Sequence, residues 1–459
     1  MKLFSRRWCA SASLGLACTL VPLVTAQAQP QPTALVVAPI AFTQRTLANG
    51  MQVIAVPRPG GGRVSVQVWY RVGGKDDPQG RSGFAHLFEH LMFKRTKHLA
   101  NEQFDRLTED VGGHNNAFTA EDVTAYFETV PANHLQRLLW AEAERMANLA
   151  VDEGNFKSER DVVKEEYRQR VLANPYGLLF NAIAPAMFDV HPYHRPVIGS
   201  IEDLDAASVD DVRAFHATYY RPDNAVLIVA GDFEPAQLDG WVDRYFGPLA
   251  APRTPLPRVT LQEPAWTTGK TLAVTAPGVP FPAVMLIWQA PKASGKDAAA
   301  LQVAQALLAG GASSRLHEAL VYRQQIAQEA SLELSLNADA GGLAAFAIAA
   351  GPRQPEALVQ PLLAEIERLA KEPIPPAELA KVRTQLVTAA LKERETNEGT
   401  AMALGWAVIK FGDPKAADTE LAALQAVTAD DVQRVLRTYL LSKPYRTLTY
   451  TQAEQKEGT

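Results

Sequence analysis

Residues 83–93 read GFAHLFEHLMF, and this stretch carries the strongest signal in the chain. On a helix, positions three and four apart share one face, so His86 and His90 project together with Glu89 beside them. The apolar residues between them point elsewhere and can anchor the helix in a core. Two imidazoles at positions i and i+4 are a natural pair of zinc ligands, and an adjacent carboxylate can take a proton from water. The alternative interpretation is an exposed helix with a chance pair of histidines.

A catalytic zinc site needs a third protein ligand from another element and one open position. Residues 155–171 have a helical pattern that carries Glu159, Glu165 and Glu166. Glu159 and Glu166 are two helical turns apart and share one face, whereas Glu165 is rotated about 100° from Glu166. One carboxylate of the facing pair can bind zinc while the other orients a ligand histidine. Taken alone, the same pattern fits a solvated, charged helix face.

Strand and helix patterns alternate on both sides of these segments. Strand patterns occupy residues 51–56, 64–70, 123–130, 272–275 and 283–288. Helical patterns occupy residues 134–149, 155–171, 297–308, 314–323, 355–371 and 376–392. Because helices cluster after strands, we predict an α+β fold with mostly antiparallel sheets packed with helices, and not a parallel wound sheet.

The two halves of the chain end in similar units. Ser208 opens a helical pattern that leads to the apolar strand at residues 225–230, and Thr428 opens another that leads to a strand at 445–450. Each of these residues is followed three positions later by Asp, which resembles a capping box. The pattern predicts a structural repeat, and the alternative is a coincidence between two helix–strand units.

A proline-rich segment separates the two halves. It contains Pro248, Pro252, Pro255 and Pro257, a composition typical of a linker. We predict a first domain at residues 29–250, a linker at 251–260 and a second domain at 261–459.

The first 28 residues have the composition of a cleaved export signal. Lys2, Arg6 and Arg7 form a basic start, an apolar stretch follows at residues 8–24, and Ala-Gln-Ala ends the segment. We therefore expect a periplasmic mature protein. A membrane anchor fits less well because the apolar run is short and interrupted. A lipoprotein site at Cys18 and twin-arginine export are further alternatives.

Composition excludes several classes of protein. The chain has 459 residues, of which 47% are hydrophobic and 21% charged, as in globular proteins with two large domains. Cys9 and Cys18 both lie in the predicted signal, so the mature chain has no disulfide. The net charge is −5 and no basic stripe suggests nucleic acid. No later run has the roughly 20 apolar residues of a membrane helix.

The chain resembles the pitrilysin and insulinase family of zinc peptidases, and most closely its short bacterial members related to the mitochondrial processing peptidase. Two segments carry the resemblance: His-x-x-Glu-His at residues 86–90 and ERDVVKEEY at 159–167. The resemblance implies two homologous α/β-sandwich domains of the LuxS and mitochondrial-processing-peptidase type. It also implies one zinc ion per chain and a peptidase activity.

The resemblance assigns roles to individual residues. It implies that His86, His90 and Glu166 bind zinc and that Glu89 is the general base. It also implies that Glu159 orients a ligand histidine without binding zinc itself. The segment at 112–119, GGHNNAFT, resembles the edge strand to which a substrate peptide adds as an extra strand. Asn116 and Ala117 match the substrate-binding positions of that strand.

The chain departs from the family pattern in its second half. The family often carries an Arg and a Tyr that grip the substrate near the metal, and these positions align with Val321 and Gln328. Some short members divide the site between a metal-bearing subunit and a partner that supplies the Arg and Tyr. We therefore predict a heterodimer with such a homologous partner. A homodimer with a shifted alignment is the alternative, since Tyr322 and Arg323 lie nearby.

The resemblance implies a zinc metalloendopeptidase that hydrolyses unfolded peptides or small polypeptides, and the export signal places it in the periplasm. Two other functions remain open at this stage. One is a dedicated peptidase that processes a single precursor. The other is a non-catalytic, chaperone-like subunit that binds peptides. We expect no nucleic-acid partner and no stable membrane insertion.

Overall fold

The computed structural model describes residues 37–250 and 252–453, so the predicted signal peptide at 1–28 lies outside the described residues. The first half has strands β1 (Thr43–Thr46), β2 (Gln52–Pro57), β3 (Arg63–Tyr70), β4 (His114–Thr119), β5 (Thr124–Pro131) and β6 (Ala225–Gly231). Its helices are α1 (Phe84–Leu91), α2 (Gln103–Glu109), α3 (Leu135–Asn148), α4 (Glu153–Tyr167), α5 (Gly177–Asn181), α6 (Ile183–Met187), α7 (Ile201–Ala206), α8 (Val209–Tyr219) and α9 (Pro235–Tyr245).

The second half has strands β7 (Lys270–Ala276), β8 (Ala283–Ala290), β9 (Ala327–Leu336), β10 (Gly341–Ala349) and β11 (Arg446–Gln452). Its helices are α10 (Ala298–Ala309), α11 (Val359–Lys371), α12 (Pro376–Glu393), α13 (Asn397–Phe411), α14 (Ala416–Ala426) and α15 (Ala429–Val435). Short π-helical segments occupy Arg168–Leu172, His317–Arg323 and Leu436–Leu441. Short 3-10 turns occupy Gly74–Asp76, Ala132–His134, Pro192–His194, Pro222–Asn224 and Pro355–Leu358.

The strands form two sheets that share one topology, except that the first has an additional edge strand, β1. The first has the order β1-β2-β6-β3-β5-β4 and the second the order β7-β11-β8-β10-β9. In each sheet one pair is parallel, β2 with β6 and β7 with β11, and the other pairs are antiparallel. The predicted α+β fold with mostly antiparallel sheets is therefore confirmed. Ser208 and Thr428 each form a capping box, with Asp211 and Asp431 respectively.

The central strands are almost fully buried because both faces of each sheet are covered. Every residue of β6 is buried, and in β3 only Arg63 is exposed. One face of the first sheet packs against α1, α3, α8 and α9 of the same half. The other face is covered by α13, which belongs to the second half of the chain.

The covering helices are exchanged between the halves. Helix α13 packs on the first sheet, while α6 of the first half packs on the second sheet. Each exchanged helix lies against its sheet at a glycine. A Cβ atom on Gly405 of α13 would lie 2.1 Å from the ring of Trp69, and one on Gly342 of β10 would lie 1.9 Å from Met187 of α6. Only a residue without a side chain permits such close contacts.

The proline-rich segment is fastened to the first half. The Arg221 guanidinium donates hydrogen bonds to the carbonyls of Pro252 and Thr254, at 2.6 and 2.9 Å. Arg258 donates to the side chain of Asn224 at 2.7 Å. Because a helix from each half also packs on the sheet of the other half, the predicted domain limits at 29–250, 251–260 and 261–459 stay a proposal. In residues 37–250 and 252–453 we find no helix with the length and apolarity that crossing a membrane requires.

Helix α4 differs in its limits from the helix predicted at residues 155–171. It begins two residues earlier because the Asp152 side chain accepts a hydrogen bond from the Asn155 amide and caps the helix. It ends at Tyr167, where a π-helical turn takes over. Such turns often occur at functional sites, and this one begins two residues after Glu166.

Candidate metal centre

Helix α1 is held at its start by a residue outside the helix. The Asp77 carboxylate accepts hydrogen bonds from the amides of Gly83 and Ala85, at 2.7 and 2.9 Å. Gly83 precedes the helix with a φ of 91°, a left-handed conformation that favours glycine. The apolar face of α1 is buried and consists of Phe84, Leu87, Phe88 and Leu91. These contacts fix the direction in which the histidines project.

The structure brings His86, His90 and Glu166 together. The Nε2 atoms of both histidines lie 3.5 Å from Oε2 of Glu166, and the candidate ligand atoms all lie within 4.8 Å of one another. Ligands bound to zinc at about 2.0–2.1 Å in a tetrahedron are roughly 3.3 Å apart, so the trio fits zinc with little movement. All three residues line one cavity.

The two oxygens of Glu166 have different partners. Oε1 pairs with the Arg170 guanidinium at 2.7 Å, which leaves Oε2 between the two histidine rings. Behind His90, Oε2 of Glu159 lies 3.7 Å from Nδ1, and Lys94 holds the other Glu159 oxygen at 3.0 Å. Glu159 therefore lies where a carboxylate can orient the His90 ring.

The surroundings shift the pKa values of the two histidines in opposite directions. Burial lowers the pKa of His86 to about 4, so this ring is neutral at pH 7 and ready to donate a lone pair. Burial also acts to lower the pKa of His90, but the carboxylates of Glu159 and Glu166 raise it to about 9. His90 is a cation in the metal-free protein, and a metal ion must displace its proton.

Glu89 lies on the cavity side of α1. Its Oε2 accepts a hydrogen bond of 2.7 Å from the Thr119 hydroxyl of β4. Burial raises the pKa of Glu89, although the Thr119 bond acts against it. A carboxyl group with a raised pKa beside a metal site is suited to accept and return a proton.

The cavity in front of the trio has a volume of about 540 Å³. Its lining residues are His86, Glu89, His90, Asn116, Ala117, Phe118, Thr119, Glu166, Arg170, Val197 and Ile198. All of them belong to the first half of the chain. The Arg170 side chain is 73% exposed and contributes a cation to this cavity.

Strand β4 forms one wall of the cavity and one edge of the first sheet. It pairs with β5 on one side only. On the open side, the Ala117 amide donates to the side chain of Asn116 at 2.9 Å instead of to another strand. An extended peptide could replace this local bond with a ladder of main-chain hydrogen bonds.

The second-half positions aligned with the family's Arg and Tyr lie elsewhere. Val321 packs against the core of the second half, and Gln328 is exposed on β9. Tyr322 is 72% exposed, and Arg323 pairs with Glu318. None of these four side chains lines the metal cavity.

Sequence analysis missed three residues that support the site. Asp77 caps α1 across a loop, which has no simple signature in the sequence. Arg170 could have been found, because it lies four positions after Glu166 in the predicted helix, and that spacing puts two side chains on one helix face. Lys94 lies beyond the end of α1 at Leu91, so helical spacing from His90 does not place it.

Comparisons with known proteins identify the family of the chain. The family described as "Insulinase (Peptidase family M16)" matches residues 52–200, and "Peptidase M16 inactive domain" matches residues 206–386. Zinc protease PqqE of Helicobacter pylori is 34% identical over 343 residues, which cover 74% of this chain and 77% of the relative. The chain belongs to the insulinase family of peptidases, M16.

Two further relatives support the assignment. A crystal structure of a protease from Helicobacter pylori superposes with a TM-score of 0.86 at 30% identity, covering 90% of this chain and 100% of that one. The "probable mitochondrial-processing peptidase subunit beta" of Arabidopsis thaliana is 24% identical over 406 residues, or 87% of this chain and 76% of the relative. The predicted family and its link to the mitochondrial processing peptidase are confirmed.

Proposed function

We propose that the protein is a zinc metalloendopeptidase that hydrolyses unfolded peptides in the periplasm. One observation carries the proposal: two imidazole nitrogens lie 3.5 Å from one carboxylate oxygen, and Glu89 lines the same cavity. The names of the relatives, which are called zinc proteases, support it. The periplasmic location rests on the signal pattern of residues 1–28.

Each residue of the proposed site has its own role in the reaction. His86, His90 and Glu166 hold the ion, and Glu159 orients His90. Bound zinc supplies Lewis-acid chemistry, which polarises a peptide carbonyl and lowers the pKa of water. Glu89 accepts the proton of the attacking water and delivers it to the leaving amine. The Thr119 hydroxyl keeps Glu89 oriented toward the cavity through its hydrogen bond.

We propose that the substrate binds to β4 as an additional antiparallel strand. The open edge of β4 and the position of Asn116 and Ala117 beside the metal cavity support this. Binding of this kind uses main-chain groups, so an extended peptide of many sequences can dock. Most strands of a folded protein are already paired within a sheet, which favours unfolded substrates.

We further propose that the chain is the metal-bearing subunit of a heterodimer. In the described residues, the cavity is lined from the first half alone, and Val321 and Gln328 take no part in it. A homologous partner that carries an Arg and a Tyr would complete the site. The purified chain is then weakly active alone and gains activity when the partner is added. Full activity of the chain alone would reject the heterodimer.

The Glu89→Gln variant tests the activity most simply. It keeps the shape of the side chain but cannot accept the proton, so kcat should fall by about 100-fold or more. Zinc content and melting temperature should match those of the wild type, which serves as the control for folding. A normal rate on a quenched peptide would show that Glu89 is not the base.

A peptide library separates the remaining functions. Cleavage of many unrelated peptides supports the proposed general peptidase. Cleavage of very few sequences points to a dedicated precursor-processing enzyme. Zinc binding and peptide binding without hydrolysis of any library member, with or without a partner, would make the protein a chaperone-like subunit.

A further inference from the structure

Strand β4 is an edge strand, yet residues outside its sheet hold its start, its end and the turn that follows it. Its own sheet bonds it only through β5. An edge strand with one neighbour frays easily, because few contacts resist its opening. The partners that prevent this come largely from the second half of the chain.

The first contact is at the start of β4. Nε2 of His114 lies 2.7 Å from Oε2 of Glu398, in the first turn of α13. The Thr129 hydroxyl of β5 donates to the same Glu398 oxygen at 2.9 Å. Gln67 of β3 donates to the Glu398 carbonyl at 2.9 Å. One residue of the second half thus connects three neighbouring strands of the first sheet.

The second contact is near the end of β4. The ring of Phe118 stacks on Trp406 of α13 with centroids 5.3 Å apart and planes 25° apart. Both rings also meet Trp69 of β3 edge-on, at 5.4 and 5.5 Å. This cluster forms because Gly405 allows α13 to approach Trp69. Phe118 at the same time lines the metal cavity.

The third contact is at the turn that ends β4. The Asp122 carboxylate accepts a hydrogen bond of 2.8 Å from the Ala338 amide, in the turn between β9 and β10. Lys75 bridges Asp122 and Asp339 at 2.7 and 2.8 Å. The turns of two equivalent hairpins, one from each sheet, are thereby joined.

We propose that the second half of the chain is a brace that keeps β4 ordered for peptide binding, with Glu398 and Trp406 as its positioning residues. This inference rests on the proposed function. A strand that is already ordered lowers the entropy cost when a peptide adds to it. Loss of the brace therefore weakens peptide binding, while the metal trio on α1 and α4 stays intact.

The test compares Trp406→Ala, Glu398→Ala and the rescue variant Trp406→Phe in the full-length chain, with its partner if activity requires one. Trp406→Ala and Glu398→Ala should raise KM by about 5–10-fold and change kcat by less than about two-fold. Trp406→Phe should restore most of the lost affinity, because a phenyl ring can still stack on Phe118. Zinc content should stay unchanged in all three.

The matched control is Val408→Ala, which removes buried apolar contact from the same helix but none of the three contacts with β4. It should lower the melting temperature and leave KM unchanged. Hydrogen exchange at the β4 amides should rise about ten-fold or more in Trp406→Ala and Glu398→Ala and not in Val408→Ala.

Two results would overturn the brace. One is unchanged KM and unchanged β4 exchange in both Trp406→Ala and Glu398→Ala. The other is an equal rise of KM in Val408→Ala, which would mean general destabilisation. If Trp406→Ala does not fold, Glu398→Ala alone tests the brace through the exposed contact between Glu398 and His114. If the wild-type protein cleaves no peptide, the proposed function is wrong. The hydrogen-exchange comparison still tests whether the second half keeps β4 ordered.

Discussion

Glu166 shows how one side chain can be directed by a neighbour. Its Oε1 is taken by Arg170 at 2.7 Å, so that only Oε2 faces the two histidine rings. Without this partner both oxygens would be free to rotate toward the rings. Arg170 thus selects the oxygen offered to a metal ion, as residues behind a ligand commonly do.

The variant Arg170→Ala should therefore bind zinc about 10–100-fold more weakly. Arg170→Lys should lose less, because an ammonium group retains the charge but not the planar fork of donors. The measurement is a competition for zinc with a chelator of known affinity. Equal zinc affinity in wild type and Arg170→Ala would show that Arg170 does not orient Glu166.

His216 makes stability depend on pH. Burial lowers its pKa to about 4, its Nε2 atom has no hydrogen-bond partner in the described residues, and the ring stacks on Phe88 of α1. An unfolded histidine has a pKa of about 6.5, so the unfolded state binds more protons between pH 6.5 and 4. The stabilisation is complete above about pH 6.5 and is lost as the pH falls toward 4.

The His216→Phe variant should remove this part of the pH dependence. On lowering the pH from 7 to 4, its free energy of unfolding should fall by on the order of 1–3 kcal/mol less than that of the wild type. Urea denaturation of metal-free protein at several pH values measures the difference. Parallel curves for the two proteins would mean that His216 does not titrate as proposed.

The position of α13 depends on the absence of a side chain at Gly405. A Cβ atom on Gly405 would lie 2.1 Å from the Trp69 ring, which is buried and cannot move far. Gly240 in α9 is also helical, but a Cβ atom there would meet nothing within 4 Å. The two glycines therefore respond to alanine in opposite ways.

Gly405→Ala should lower the free energy of unfolding by about 1–3 kcal/mol, as overpacking does. Gly240→Ala should raise it by up to about 1 kcal/mol, because alanine favours a helix over glycine. Chemical denaturation of both variants makes the comparison. A neutral or stabilising Gly405→Ala would contradict the close approach of α13 to β3.

Prediction from sequence succeeded where the signal lies within one element. The spacing of His86, Glu89 and His90 fixes a shared helix face, and the apolar runs of β3 and β6 mark buried strands. It missed β10, whose residues GGLAAFAIA are all buried but carry little β propensity. Alanine and glycine there make room for the packing of helices, which the sequence alone does not reveal.

Prediction failed where contacts join distant parts of the chain. Arg145 of α3 is fully buried with Glu128 and Glu142, although such charges usually indicate an exposed helix face. The Arg145 guanidinium lies 4.1 Å from the ring centre of Phe104. A buried charge cluster of this kind depends on the three-dimensional arrangement and has no periodic signature.

For the whole molecule, the exchange of helices makes each half depend on the other. Without α13, the first sheet exposes the apolar side chains of Trp69, Val226 and Ile228. Without α6, the second sheet exposes Phe346 and its neighbours. Exposed contiguous apolar patches promote aggregation.

The two halves, residues 29–250 and 251–459, should therefore aggregate or bind hydrophobic dyes when each is expressed alone. Expressed together, they should copurify as a folded complex and bind zinc. Size-exclusion chromatography and circular dichroism distinguish these outcomes. A monomeric, cooperatively folding first half would show that the exchange is not needed for stability.

The central claim is that His86, His90 and Glu166 form one zinc site. Anomalous diffraction at the zinc absorption edge, from crystals of the purified protein, tests it most directly. We predict one peak per chain, about 2.0–2.2 Å from Nε2 of both histidines and from Oε2 of Glu166. A peak bound to other residues, or zinc-supplemented crystals with no peak at this trio, would contradict the account.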